Sequence, residues 1–296
     1  MPLKWKSSPG FAVAGLIAMT AIWGWTFLIV KDAIGKMPVM DFLAVRFAVA
    51  AIVMLAVRPA GLRHIGRRGL WHGVVIGFLL GMSYITQTYG LRTVSPAVSG
   101  FITGMAVVFT PVFSWLFFKG KISRNTWAAV VLALIGLALL SLRGWAFGTG
   151  EMLTVACAVF VAFQVLGLGV WSPQHEAYGF AQVQITTAAV MMLAAAAPGG
   201  IILPPDWAVW GTVAITAVLA TALAFVVQTW AQSILSPTHT AVILTMEPVF
   251  AGIFAVAVGH IHLTVQVIAG AVCVIVAMLV AQIKSGARGG NPPARS

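Results

Sequence analysis

The feature that most constrains this chain is a succession of apolar runs, each close to the length that crosses a bilayer, with short polar or Gly/Pro breaks between them. The runs cover 11–30, 40–57, 71–91, 96–118, 125–142, 152–170, 179–197, 208–232, 237–258 and 264–283. A membrane-spanning helix needs about 20 mostly apolar residues, so ten of them take about 200 positions and leave only loops and tails. Of the 296 residues, 60% are hydrophobic and only 8% are charged. Soluble domains carry roughly 25% charged residues, so a water-facing surface cannot be built and a disordered chain is equally excluded. The long runs lack the strand alternation of an outer-membrane barrel. The expected fold class is an all-α polytopic membrane protein with ten transmembrane helices.

The net charge is +11, from 17 Lys and Arg against 6 Asp and Glu. In a soluble domain that excess would point to nucleic acid. In a membrane protein it reports orientation, because cytoplasmic loops retain Lys and Arg; the expected partners are the lipid bilayer and a small-molecule substrate, with no nucleic acid. Alternate loops divide the basic residues unevenly. One side holds Lys4, Lys6, Arg58, Arg63, Arg67, Arg68, Lys119, Lys121, Arg124, Lys284, Arg288 and Arg295; the other holds Lys31, Lys36, Arg92 and Arg143. This bias places both termini in the cytoplasm. Trp71, Trp127, Trp145, Trp171, Trp207 and Trp210 fall at run ends, where indoles prefer the membrane interface.

The chain also repeats itself. Gln87-Thr88-Tyr89 and Ser95-Pro96 recur 141 positions later as Gln228-Thr229-Trp230 and Ser236-Pro237. At the same offset Ile102, Met105 and Phe109 meet Ile243, Met246 and Phe250. Apolar sequences match by chance, but paired polar elements at one offset favour duplication. The expected units are 1–145 and 146–296, five spans each. Because five is odd, the second unit enters the membrane from the opposite side. Inverted-topology repeats are the architecture of many secondary transporters, with the substrate site near the midplane between halves and alternating access.

Trp23-Gly24, Arg46-Phe47, Pro111-Val112-Phe113 and Glu247-Pro248-Val249-Phe250 give the chain its family likeness. It resembles the drug/metabolite transporter superfamily, and within it the ten-span EamA-like exporters, over nearly its whole length. Members often close the fourth and ninth spans with Leu-Gly-Glu; Gly120-Lys121 and Gly259-His260 stand there instead. The aromatic-rich, acid-poor character is similar to that of bacterial exporters of aromatic and other neutral amino acids. The resemblance implies a secondary exporter of small amphipathic metabolites, amino acids among them, in the bacterial inner membrane.

Glu247 is the one acidic residue deep in a run, and a carboxylate there is costly unless protonated, paired or facing water. It is a candidate for substrate-amine contact or proton uptake, which makes protons the candidate coupling ion; the alternative is a neutral acid bonded between helices beside Pro248. Arg46 is the one basic residue well inside a run, a candidate carboxylate clamp or a snorkelling side chain. Their repeat mates are uncharged: Ala106 at the 141 offset for Glu247 and, by the resemblance of Asp41-Phe42-Leu43-Ala44-Val45 to Gly179-Phe180-Ala181-Gln182-Val183 at offset 138, Gln184 for Arg46. Trp23, Thr26, Tyr84, Gln87, Ser99, Thr103, Gln164, Gln228, Trp230 and Thr245 complete the candidate binding set, each also explicable as helix packing or interhelical bonding. Pro96 and Pro237, each after a Ser N-cap, start helices. Pro111 and Pro248 can kink theirs, so these four prolines are the candidate hinges of two gates.

No HExxH, GxSxG, phosphate loop or intramembrane Asp pair is present, and His260-x-His262 is an isolated pair. No catalytic residue, cofactor or metal is expected. A membrane-embedded enzyme acting on lipid or peptide would need acid, His or Ser pairs at one depth. A channel would differ from a carrier in showing neither saturation nor counterflow.

Overall fold

A computed structural model describes residues 8–94, 96–118, 124–141, 148–258 and 264–282. Every regular element among them is helical, as a bilayer requires, since lipid satisfies no backbone N–H or C=O and only a helix or a closed barrel bonds all of its own. The helices are α1 (Pro9–Lys36), α2 (Val39–Val57), α3 (Gly66–Leu91), α4 (Pro96–Gly104), α5 (Ala106–Phe118), α6 (Arg124–Ser141), α7 (Thr149–Trp171), α8 (Ala177–Ala196), α9 (Trp207–Ala217), α10 (Ala224–Gln232), α11 (Pro237–Leu244), α12 (Met246–Ala257) and α13 (Val265–Gln282). A π-helical segment, Val218–Leu223, joins α9 to α10 without a turn.

Each apolar run in the sequence lies on one or two of these helices. By length and composition, seven helical stretches among the described residues suffice to cross a membrane, and α6 and α13 carry shorter apolar segments, Trp127–Gly136 and Ile268–Ala277. The chain is therefore a multi-pass membrane protein. Its outer surface suits lipid: Trp71, Trp115, Trp127, Trp207, Phe117 and Val265 are exposed, and so much uncovered apolar surface marks a membrane face rather than a water face. Ser95, Lys119, Gly120, Lys121, Arg143, Trp145, Gly259, His260, His262, Lys284, Arg288 and Arg295 lie outside the described residues, so the N-cap expected at Ser95 does too.

The two runs in which a proline kink was expected are each split into two helices, at positions within one residue of matching. α4 gives way to α5 at Met105, and α11 to α12 at Thr245. Pro248 has no N–H for the Leu244 carbonyl one turn back, and its ring crowds that carbonyl. The chain instead tightens, with the Thr245 N–H donating to the Val242 carbonyl at 3.2 Å and the Thr245 hydroxyl donating to the same oxygen at 2.6 Å. In the first half the tight turn brings the Met105 N–H to the Ile102 carbonyl at 3.1 Å, ahead of Pro111 inside α5.

Helix pairing follows the repeat. α2 packs on α8, and α6 on α13; each of these joins an element to its own mate. Several other pairings come as exchanged couples. α3 packs on α7, and α10 on α1; α3 on α8, and α9 on α2; α4 and α5 on α7, and α11 and α12 on α1. Small residues make the closest of these approaches. A Cβ on Gly77 would lie 2.6 Å from the Gln184 carbonyl oxygen, and one on Gly136 2.8 Å from that of Gly270.

Polar ties cluster at the two ends of the bundle. At one end Arg58 pairs with Glu176 at 3.0 Å, Glu176 caps α8 by accepting from the Tyr178 and Gly179 N–H groups, and His72 Nδ1 lies 3.0 Å from His175 Nε2. Burial, then the neighbouring His72, hold the His175 imidazole below its ordinary range, favouring the neutral ring that such a bond requires of at least one partner. At the other end Lys31 donates to the carbonyls of Leu91, Arg92 and Val94 past the end of α3. There Lys36 also pairs with Asp206 at 2.9 Å. Asp206 caps α9 through the Val209 N–H at 2.8 Å.

That N–H, and then Lys36, hold the Asp206 carboxyl below the usual carboxylate range. A depressed carboxyl contributes stability above its unfolded-state value and loses it as pH falls through the folded one. Asp206→Ala should therefore lower the melting temperature at pH 7, and the gap from wild type should close as pH is taken below the ordinary Asp range. A gap independent of pH would assign Asp206 no electrostatic part.

Candidate functional site

Where the broken helices face α1, α3, α7 and α10, they leave a cavity of about 100 Å³. A water occupies about 10–15 Å³ on that measure, so the space holds a small solute or several waters. The walls come from both halves, at corresponding positions. Trp23 and Gln164, Tyr84 and Phe225, Gln87 and Gln228, and Thr103 and Leu244 are pairs 141 apart, and all line the cavity. The same is true of Gly100 and Ala241, Gly104 and Thr245, Ala106 and Glu247, and Val107 and Pro248. The spacing found in the sequence is thus the spacing of the cavity walls.

Charge breaks this correspondence. Arg46, on α2, is 3% exposed. Its Nε donates to the Thr221 hydroxyl at 3.0 Å, and its guanidinium lies 4.9 Å from the centre of the Tyr84 ring and 5.8 Å from that of Phe47. Cation–π contact of this kind strengthens where water is excluded, so the arginine is held in the cavity wall rather than stretched toward the interface. Nε–H goes to Thr221 and the Tyr84 side chain is a second hydrogen-bond partner; what remains of the fork is the part able to meet a carboxylate. Glu247, one residue before the helix-breaking proline, differs. Among the described residues no hydrogen bond or ion pair reaches its carboxyl. An acid in a membrane cavity with no protein partner is open to a proton or a cation from the solute side.

The π segment completes the site. By adding a residue to the turn it releases backbone carbonyls from the helical ladder, and such segments recur at functional sites. Here the Ala220 carbonyl accepts from Trp23 Nε1 at 2.8 Å, and the next residue offers its hydroxyl to Arg46. Trp23 also rests against Phe225, centroids 5.6 Å apart. Elsewhere in the walls Gln87 Nε2 donates to the Thr103 hydroxyl at 3.1 Å, and Gln228 Nε2 donates to Gln164 Oε1 at 3.2 Å.

Of the residues singled out in the sequence, Trp23, Thr26, Arg46, Tyr84, Gln87, Thr103, Gln164, Gln228, Thr245, Glu247 and Pro248 line this one cavity. Ser99 and Trp230 do not. Ser99 is fully buried on α4 with its hydroxyl unpartnered. Trp230 packs in the apolar cluster behind the cavity wall, with Ala12, Leu16 and Val227, edge-on to Phe11 at 5.9 Å. Pro96 and Pro237 start α4 and α11; only Pro237 has a described cap, the Ser236 hydroxyl accepting from the His239 N–H. Sequence reading missed Phe225, Ala220, Thr221 and Cys157. Phe225 was within reach, being the mate of Tyr84; a π segment in an unbroken apolar run leaves no such trace.

Two matches to one family model cover residues 10–142 and 148–282, and the model is that of the EamA-like transporter family. The chain belongs to the EamA-like transporter family. An uncharacterized transporter of Archaeoglobus fulgidus is 31% identical over 282 residues, covering 93% of this chain and 86% of its relative. The uncharacterized transporter YoaV of Bacillus subtilis is 24% identical over 279 residues, covering 88% of this chain and 92% of its own. A solved crystal structure has the same fold, with a TM-score of 0.75 at 19% identity over 93% of this chain and 97% of the other.

In this EamA-like protein the Trp23-Gly24 element has a defined task. A Cβ on Gly24 would come within 2.7 Å of both the Glu247 carbonyl oxygen and the Ala251 nitrogen. The bare glycine therefore lets α1 lie against the backbone of α12 where Glu247 is presented. Gly24→Val should push the helices apart at a cost of about 1–3 kcal/mol or more, read as a lower melting temperature in detergent. An unchanged melting temperature would mean that α1 and α12 are not held at this distance.

Proposed function

We propose that this protein is a gradient-driven secondary transporter that exports small amphipathic metabolites, amino acids and aromatic ones among them, across a bacterial inner membrane. It works by alternating access between two inverted five-helix halves, 1–145 and 146–296. The observation that carries this reading is a membrane cavity walled by matched positions of both halves that holds an unpartnered acid, Glu247, and a single guanidinium, Arg46. A zwitterion meets both: its ammonium group the carboxylate, its carboxylate the Arg46 fork, with Trp23, Tyr84 and Phe225 as the apolar wall for a side chain. A proton and an ammonium group compete for Glu247, so uptake of one with release of the other couples export to the proton gradient. Matched walls suit alternation, because each half can adopt what the other half shows. The broken helices next to the cavity, at Met105 and Thr245, are the natural places for that change, with Pro96, Pro111, Pro237 and Pro248 shaping the four helix segments.

Flux of aromatic amino acids in proteoliposomes, with and without an imposed pH gradient, tests the reading. Glu247→Gln should fold and express normally while losing most substrate-driven flux, since the amide cannot ionise. Arg46→Gln should lose affinity for zwitterions more than for amines that carry no carboxylate. Wild-type flux and pH dependence in Glu247→Gln would return the glutamate to a packing role. Topology is tested separately, in a background without Cys157 and Cys273. Cysteines at Lys36 and Asp206 should label from outside, and one at Arg67 only from inside. Labelling of Asp206 and Arg67 from the same side would remove the inverted repeat.

A further inference from the structure

We propose that Gln164 and Gln228 form a carboxamide-recognition subsite of the cavity, oriented by Gln232, which stands outside it. The proposal rests on the transport reading above and narrows the solutes it favours.

Three amides form a chain whose direction is set from one end. The Val165 carbonyl can only accept, so Gln232 must turn its NH₂ toward it, and Gln232 Nε2 donates there at 2.7 Å. That turns Gln232 Oε1 toward Gln228, which donates to it from Nε2 at 3.2 Å. With its NH₂ so placed, Gln228 gives its second N–H to Gln164 Oε1, also at 3.2 Å. Flipping any one amide would set donor against donor or acceptor against acceptor, so a backbone oxygen on α7 fixes all three.

The chain ends with two groups unmet. Gln228 Oε1 and Gln164 Nε2 are buried and have no hydrogen-bond partner. The residues are 2% and 3% exposed, and both line the cavity. Gln232, 1% exposed, is absent from its walls. A buried donor and acceptor left open are costly, and one hydrogen bond joins the two amides, so both lie within the span of one small solute. A solute group seated against this wall satisfies both only if it offers an acceptor to Gln164 and a donor to Gln228. A primary carboxamide does so from two separate atoms, its C=O taking the Gln164 N–H and its own N–H reaching Gln228 Oε1, whereas a hydroxyl must meet both groups from one oxygen. A carboxylate has no donor and sets oxygen against Gln228 Oε1; an alkyl end leaves both groups unmet. The repeat mates of Gln164, Val165 and Gln232 are Trp23, Gly24 and Leu91, so the first half has no such chain and the subsite belongs to one half only.

The test uses the purified full chain in proteoliposomes and measures inhibition of labelled L-leucine counterflow by unlabelled L-glutamine, L-norleucine and L-glutamate, which share the same ammonium and carboxylate. Glutamine should half-inhibit at a concentration about tenfold or more below norleucine, and glutamate should be the weakest, as expected for hydrogen bonds to otherwise unmet groups. Gln232→Leu should bring glutamine and norleucine within about twofold of each other while leaving the norleucine value unchanged. A merely structural Gln232 would weaken all three alike. Gln164→Leu, which leaves Gln232 and Gln228 in place, should also shrink the ratio and serves if Gln232→Leu does not fold. Counterflow with no preference for glutamine in wild type, or a ratio unchanged in either variant, overturns the subsite alone. No counterflow with any of these amino acids, while aromatic ones are carried, overturns the subsite alone; no counterflow with aromatic amino acids either overturns the zwitterion reading with it.

Discussion

A bilayer offers the backbone no water, so each N–H and C=O must find its partner inside the protein. That constraint makes the chain helical, and it also gives meaning to the places where the helices are imperfect. The breaks at Met105 and Thr245 and the π segment at Val218–Leu223 all lie around one cavity. Backbone carbonyls beside them find side-chain partners: that of Val242 takes the Thr245 hydroxyl, and that of Ala220 the indole of Trp23. The same rule isolates Glu247, the acid in the cavity wall that nothing in the described protein satisfies.

Pseudo-symmetry and its violation divide the work. Matched positions supply shape, with glutamines, aromatics and helix breaks recurring across the two halves. Unmatched positions supply polarity. Arg46 faces no second arginine and Glu247 no second acid, and the Gln232–Gln228–Gln164 chain has apolar or aromatic mates for two of its members. A symmetric shell can change shape in either direction, whereas a lopsided set of charges would give the proposed zwitterion one orientation.

Much of this was legible in the sequence. Run length and charge poverty established a multi-pass helical protein, because the hydrocarbon thickness sets a length that composition must satisfy. The 141-residue offset exposed the duplication, and the isolation of Glu247 and Arg46 within apolar runs marked them before any contact was known. Eleven of the candidate residues meet in one cavity because polar side chains in a membrane gather where partners or water can reach them.

Tertiary structure alone decided the rest. Ser99 and Trp230 carry the same signals as Thr103 and Trp23, yet they face away from the cavity, since a helix apolar on all sides has no period from which to read its inward face. The π segment arose within a run of Val, Leu, Ala and Thr that reads as plain helix, and its carbonyl matters only because Trp23 crosses from another helix to meet it. The direction of the amide chain depends on the Val165 backbone oxygen, which every sequence possesses at every position. Local propensity and hydropathy are properties of single segments and can be read along the chain; the partner of a polar atom is a property of two segments, known only once packing has brought them together.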